Sequence, residues 1–322
     1  AQGFPASLYR LEVLRVSVTA SRQGLMDDSR LARLDLSLSE TFIVHADHVR
    51  RGLIDPRQVT DHWHVPDRPS DLAGLLTTSL ALNDVASALE RLTPRRLAYA
   101  ELARFLSTAE GDERFRLEAN LDRWRWLPRD LGDDYLLVRL AAFELDWIRG
   151  GVHQSSRRVI VGEPFRRTPS FASQITDIVV HPSWYVPASI ARDELLPRAW
   201  GDARFLRSSG FHVFRQSRPV ELNSVDWRDT SQTQGLSFVQ APGGSNPLGK
   251  VKFHLKNPFA IFLHDTPSPS LFGGDDRDLS HGCVRVEQAV DLARGILAEA
   301  RGEARFESLL AAHKTGVVSL QR

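Results

Sequence analysis

A single cysteine, Cys283, stands among 322 residues, so no disulfide can close within the chain and any metal site would have to be built on His, Asp and Glu. No HExxH occurs among the 11 histidines, which leaves a metalloenzyme a minor reading and sets the expectation of no metal and no cofactor. An excess of charge of one sign is also missing. Lys and Arg number 41 against 40 Asp and Glu, which offers a nucleic acid no electrostatic footprint, so no nucleic-acid partner is expected. Long apolar runs are absent, and so no integral membrane segment is expected. The opening AQGFPASLYRLEVLRVSV has no basic stretch followed by an apolar run, but an exported chain whose signal peptide had been removed would look the same. No self-similar period of roughly 20 to 50 residues is present, which excludes a solenoid.

What is there is an ordinary folding composition, 42% hydrophobic and 25% charged, on a chain longer than one typical domain, so a large domain or two modules are expected. Apolar residues recur at helical spacing from Ser29 to about Gly52, then in DLAGLLTTSLALN, VASALERL and AYAELARFL, each run ending at Asn, Pro or a charged turn. A charged amphipathic helix, DERFRLEANLDRWRWLPRD, follows. From Tyr135 the pattern turns to strands: YLLVRLAAFELDWI, RRVIVG, QITDIVV, LSFVQ, KVKFHL, AIFLH and CVRV, separated by turn clusters such as APGGSNPLG. EQAVDLARGILAEA reads as a helix, and a last helix and strand close the chain. The fold class is therefore α+β, with a helical domain over 1–125 and a mainly β, sandwich-like domain over 126–322. A mixed segment around 189–235 interrupts the strand series and reads as an inserted lobe or a long connection.

The cysteine sits in DLSHGCVRV. A thiol becomes a nucleophile when a base or a cation stabilises its thiolate, and histidine is the usual base. Two histidines compete: His281, two residues upstream, and His264, at the end of the apolar run AIFL. Gly282 favours a turn between His281 and Cys283, whereas His264 can approach from a neighbouring strand and be oriented by Asp265, through its backbone carbonyl or its side chain. Lacking a Cβ, Gly282 admits a substrate carbonyl, and the Gly282 and Cys283 amides could then hold an oxyanion. Arg285 adds positive charge that lowers the thiol pKa or holds a substrate carboxylate. The plain alternatives are a small buried cysteine, a hydrogen-bonded core histidine and a surface arginine.

FLHDT, a spacer and then LSHGCVRV resemble the signature of the L,D-transpeptidases with a YkuD-type catalytic domain, in which a histidine precedes S/T-H-G-C-x-R by a little under twenty residues. NLDRWRWLPRDLGDDYLLV, RRVIVGEPFRRTP, VVHPSWYVPASIARDELLP, FVQAPGGSNPLGKVKF and IFLHDTPSPSLF resemble the YcbB-like branch of Gram-negative envelope enzymes from about Arg114 onward. The helical first third resembles that branch's scaffold domain. The resemblance implies a periplasmic enzyme of cell-wall biogenesis and cell shape, monomeric, acting on peptidoglycan stem peptides, one as donor and one as acceptor. Cys283 would attack the carbonyl at the L-centre of meso-diaminopimelate in a tetrapeptide, expel D-alanine and leave a thioester. His264 would be the base, oriented by the Asp265 carbonyl, with Gly282 and Cys283 holding the oxyanion. Ser280, His281 and Arg285 would shape the motif and the substrate site, while Trp184 and Tyr185 would wall the donor site beneath a capping lobe. One departure is that RFLSTAEGDERFR joins the two parts where the branch usually carries a peptidoglycan-binding module. The acceptor could be a second diaminopimelate, giving a 3-3 link, or the amine of L-alanine, giving a 1-3 link.

Two other readings stand beside this one. Water in place of the amine would make the same fold a thiol L,D-carboxypeptidase or endopeptidase. A non-catalytic wall-binding scaffold could use the aromatic pair Trp124 and Trp126, although that pair reads first as a packing anchor; intact Cys283, His264 and Gly282 argue for catalysis.

Overall fold

The computed structural model describes residues 2–67, 69–298 and 302–320. The chain divides into two compact units, residues 1–131 and 132–322. In the first, Leu11–Arg22, Asp28–Arg51, Leu72–Ala81, Val85–Arg91, Leu97–Phe105 and Gly111–Trp126 are α-helical. Asp27 accepts the Arg30 N–H and Asp71 the Gly74 N–H, both at 2.8 Å, so each carboxylate satisfies a first-turn amide that helix geometry leaves without a partner. Asp28–Arg51 stops at Gly52, whose φ is 89°. The carboxylate of Asp122 closes over that turn, accepting the Leu53 N–H at 2.8 Å, and a Cβ on Gly52 would lie 2.8 Å from it. Leu11–Arg22 was not among the helices expected from sequence. Its Val and Thr residues have weak helix propensity, and Val13 and Val16 face outward, which blurs the apolar period. Trp124 packs with Tyr99, Leu106 and Leu121, and Trp126 meets Trp63 edge-on at 5.6 Å.

The second unit is built on nine strands: β1 Tyr135–Arg139, β2 Glu144–Arg149, β3 Val152–Gly162, β4 Ile175–Val180, β5 Val251–Leu255, β6 Leu263–His264, β7 Asp278–Ser280, β8 Val284–Val286 and β9 Gly316–Ser319. They pair in the order β9-β4-β5-β6-β8-β3-β2-β1, with β7 alongside β3. Only β6 with β8 and β7 with β3 run parallel. One face is the core: Val159, Ile178, Val251, Phe253, Leu263 and Val284 pack against Leu292, Leu297 and Phe306 of the helices Ala289–Leu297 and Glu303–Ala311. The first of these helices was expected to reach Ala300; Glu299 and Ala300 lie outside the described residues. Because side chains alternate across a strand, seating Phe253, Leu263 and Val284 in the core turns Lys252, His264, Cys283 and Arg285 to the opposite face.

The interrupting segment forms a small sheet of its own, Trp184–Tyr185, Leu236–Gln240, Phe211–Arg215 and Arg218–Pro219 in that order. Leu195, Leu206, Trp227 and Phe238 make its separate core. Its entry is helical from Ala188 to Asp202 but widens to a π-turn at Ala191–Leu195. Pro197 accounts for this: it has no N–H to offer the carbonyl four residues back, and its ring crowds that carbonyl.

Candidate active site

His264 ends β6 between two strands. Its register partners are Lys252 on antiparallel β5 and Arg285 on parallel β8. Cys283 lies just before β8, in the next row beside Phe262, where the Val284 N–H donates to the Phe262 carbonyl at 3.0 Å. The histidine ring is 4% exposed. Its Nδ1 lies 2.6 Å from the Asp265 carbonyl, and because a carbonyl only accepts, Nδ1 carries the proton and Nε2 keeps its lone pair in the neutral ring. Asp265 acts on the ring through its backbone alone. Its carboxylate accepts the Lys250 N–H at 2.8 Å and packs so closely on Gly249, at φ 63°, that a Cβ there would meet it at 2.5 Å.

Burial pushes His264 down to about 4, and nearby Arg285 and Lys252 push the same way, although the Asp265 and Pro247 carbonyls favour the charged ring. Burial pushes the Cys283 thiol up, and the Phe262 backbone, Lys252 and Arg285 pull it down without overcoming that. At rest the thiol and the imidazole are therefore both neutral. The sulfur rests 3.7 Å from the Ala260 carbonyl. Ala260 is at φ 55°, held there by Asn257, whose amide donates to the Leu255 and Ile261 carbonyls and accepts the Phe259 and Ile261 N–H groups at 2.8–3.1 Å.

The loop carrying the cysteine is wound around two hydroxyls. Ser280 Oγ accepts the Gly282 N–H at 3.0 Å and donates to the Cys283 carbonyl at 2.6 Å. Buried Thr168 donates to the Gly282 carbonyl at 2.7 Å and accepts the Gly162 N–H at 2.9 Å. In a trans peptide the carbonyl and the next N–H point oppositely, so pinning the Gly282 carbonyl to Thr168 turns the Cys283 N–H the other way. That amide has no acceptor among the described residues. The two-amide oxyanion hole expected from sequence thus reduces to one available amide, because the Gly282 N–H is already engaged by Ser280. Gly282 sits at φ 114°, and a Cβ there would meet Ile261 Cδ1 at 3.2 Å, so the loop conformation requires glycine.

His281 does not join this group. Its Nε2 lies 2.5 Å from Glu194 Oε1 on the π-turn of the inserted lobe, where Arg166 also faces Glu194 at 3.6 Å and Asp193 at 3.5 Å. Trp184 packs on the lobe's core, 6.3 Å from Phe211, and Tyr185 is 76% exposed. Neither makes a hydrogen bond or ring contact with the Cys283 group among the described residues. Sequence reasoning missed Lys252, Thr168, Asn257 and Glu194; Lys252 alone carried a signal, a charged residue alternating with Val251 and Phe253. A His-x-His pair, His62 and His64, lies in the helical unit, but no group of three metal-ligating side chains occurs among the described residues. No helix among them is long and apolar enough to cross a membrane.

The family model of the L,D-transpeptidase catalytic domain, YkuD, matches residues 133–301, and that of the scaffold domain matches residues 1–106. Over 223 residues, 68% of the chain, the sequence is 34% identical to a Haemophilus influenzae protein named "Putative L,D-transpeptidase". The match covers 45% of that protein, so the chain spans about half the length of the curated relative it matches.

Proposed function

Because the chain belongs to the YkuD-type L,D-transpeptidase family, with a scaffold domain ahead of the catalytic domain, we propose that Cys283 transfers the acyl group of a peptidoglycan tetrapeptide stem to an acceptor amine. The observation that carries this reading is the placement of Cys283 and His264 on one face of adjacent parallel strands, with Nδ1 held on the Asp265 carbonyl.

Sulfur attacks the carbonyl at the L-centre of meso-diaminopimelate while its proton passes to His264 Nε2. The tetrahedral oxyanion takes the Cys283 N–H as donor. Collapse breaks the C–N bond, the imidazolium returns the proton to the departing D-alanine amine, and a thioester remains. The acceptor amine then loses its proton to His264 as its nitrogen attacks the thioester, and the thiol leaves protonated. A neutral resting pair suits both half-reactions, since Nε2 is free to accept at each attack. Lobe residues Trp184 and Tyr185 wall the donor side, and His281 anchors the lobe through Glu194. The scheme uses no metal or organic cofactor. A peptidoglycan substrate puts the reaction in the periplasm, where we take the enzyme to act as a monomer, and the product is a 3-3 or 1-3 crosslink.

Intact-protein mass spectrometry after mixing with disaccharide tetrapeptide tests this. Wild type is expected to form the thioester with loss of D-alanine and then a crosslinked dimer whose sequencing names the acceptor; Cys283→Ala and His264→Ala are expected to form neither. The same dimer from Cys283→Ala would overturn the assignment. Tripeptide as the sole wild-type product would move the protein to hydrolysis.

A further inference from the structure

Two cations flank the nucleophile with no carboxylate partner among the described residues. Arg285 lies two residues beyond Cys283 on the same face of the sheet, and Lys252 occupies the opposite side of His264 in the same row. Lys252 does not stand straight out of its row. Its Nζ leans over the Phe262 ring, 3.5 Å from the centroid, and Phe262 is the residue beside Cys283. Both cations are half-buried. Arg50, Arg139, Arg166 and Arg294 each meet carboxylates, but among the described residues the single group of opposite sign acting on Lys252 or Arg285 is Cys283 itself. Holding two partly dehydrated cations without an anion costs free energy, and such a pair in an active site marks the place of a missing negative charge. The thiolate is not that charge in the resting enzyme, because the thiol stays protonated.

We propose that Lys252 and Arg285 form a carboxylate subsite that receives the free carboxylate of the departing D-alanine. This rests on the acyl-transfer reading above. In a tetrapeptide the leaving residue's carboxylate lies three bonds from the attacked carbon, so a donor seated for attack by Cys283 carries it to the cations beside the sulfur. A stem one residue longer, or one ending in an amide, presents an uncharged amide there. Arg285 supplies a planar fork and Lys252 a point charge steadied by the Phe262 face.

The test compares acylation of the full chain by disaccharide tetrapeptide ending in D-alanine and by the same stem ending in D-alaninamide, for wild type, Lys252→Met and Lys252→Arg. Wild type is expected to acylate at least about tenfold faster with the free acid, in line with a charge-assisted contact. Lys252→Met is expected to lower the acid-to-amide rate ratio by about tenfold, and Lys252→Arg to restore most of that ratio. Equal wild-type rates on acid and amide would overturn the subsite, and need no variant to fold. Equal loss on both donors in Lys252→Met would also overturn it, assigning Lys252 to the sulfur or to packing. No acylation of wild type by either donor would be a failure of the acyl-transfer reading itself, and the subsite would fall with it.

Discussion

Acidification should strain the catalytic unit at His264 before any catalytic step is considered. The ring is 4% exposed and is held down to about 4 from an ordinary 6.5. In the unfolded chain it binds a proton below its ordinary value; in the folded chain it does so only near 4. Between those limits the unfolded state holds more protons, so stability rises with pH there. The contribution of the neutral ring is complete above 6.5 and is lost as pH falls toward 4. At about 1.4 kcal/mol per unit, the full difference is about 3 kcal/mol, and the step from about pH 7.5 to about pH 4.5 should remove about 2–3 kcal/mol of it. Burial is so complete that no discount for solvent screening applies. The assay is urea unfolding of wild type and His264→Gln at both pH values, following the β unit by hydrogen exchange of its core strands. Other carboxylates and histidines titrate alike in both proteins, so the difference between them isolates this ring. Equal losses in wild type and His264→Gln would refute a buried neutral base. Histidine-selective NMR supplies an independent reading: the Nδ1–H tautomer should persist down to about pH 5.

Thr168→Val should strand the Gly282 carbonyl and the Gly162 N–H inside the protein, costing about 2–4 kcal/mol. It should also slow thioester formation by about tenfold or more, because the Cys283 N–H is no longer aimed; mass-spectrometric acylation rates beside a denaturant curve check both, and unchanged acylation in a destabilised variant would dissociate Thr168 from the oxyanion. Glu194→Gln should change stability by less than about 1 kcal/mol, since the pair with His281 is partly solvated. It should nevertheless raise hydrogen exchange across residues 188–202, and unaltered exchange would show that His281 does not anchor the lobe.

The neutral ground state separates this site from one built around a standing thiolate–imidazolium pair. In the proposed reaction, attack requires the thiol to leave the Ala260 carbonyl, 3.7 Å away, and to pass its proton to His264. The strained φ of Ala260, imposed by the four bonds of Asn257, is what keeps that carbonyl aimed at the sulfur.

Much of this was legible before any coordinates. The helices over Asp28–Arg51, Leu72–Ala81 and Leu97–Phe105 follow apolar spacing, which is a local property of the chain. The candidacy of Cys283 and His264 rested on a short motif and a strand-borne histidine, and the choice of His264 over His281 followed from the turn that Gly282 imposes. Lys252 stayed hidden because it becomes a neighbour of His264 only through the pairing of β5 with β6. Glu194 lies 87 residues from His281 in the chain, and no local pattern announces a contact across such a separation. The expectation of two oxyanion amides failed for a related reason: a serine hydroxyl two residues upstream takes the Gly282 N–H only because the loop folds back around it.

Residue chemistry and local periodicity were thus enough to name a candidate thiol, a candidate base and a strand-rich unit that follows a helical one in sequence. The protonation states, the aim of the Cys283 amide and the unmatched cations were decided by tertiary structure alone. Burial sets the charge of His264 and Cys283, and burial, like strand register, is a property of how distant segments meet.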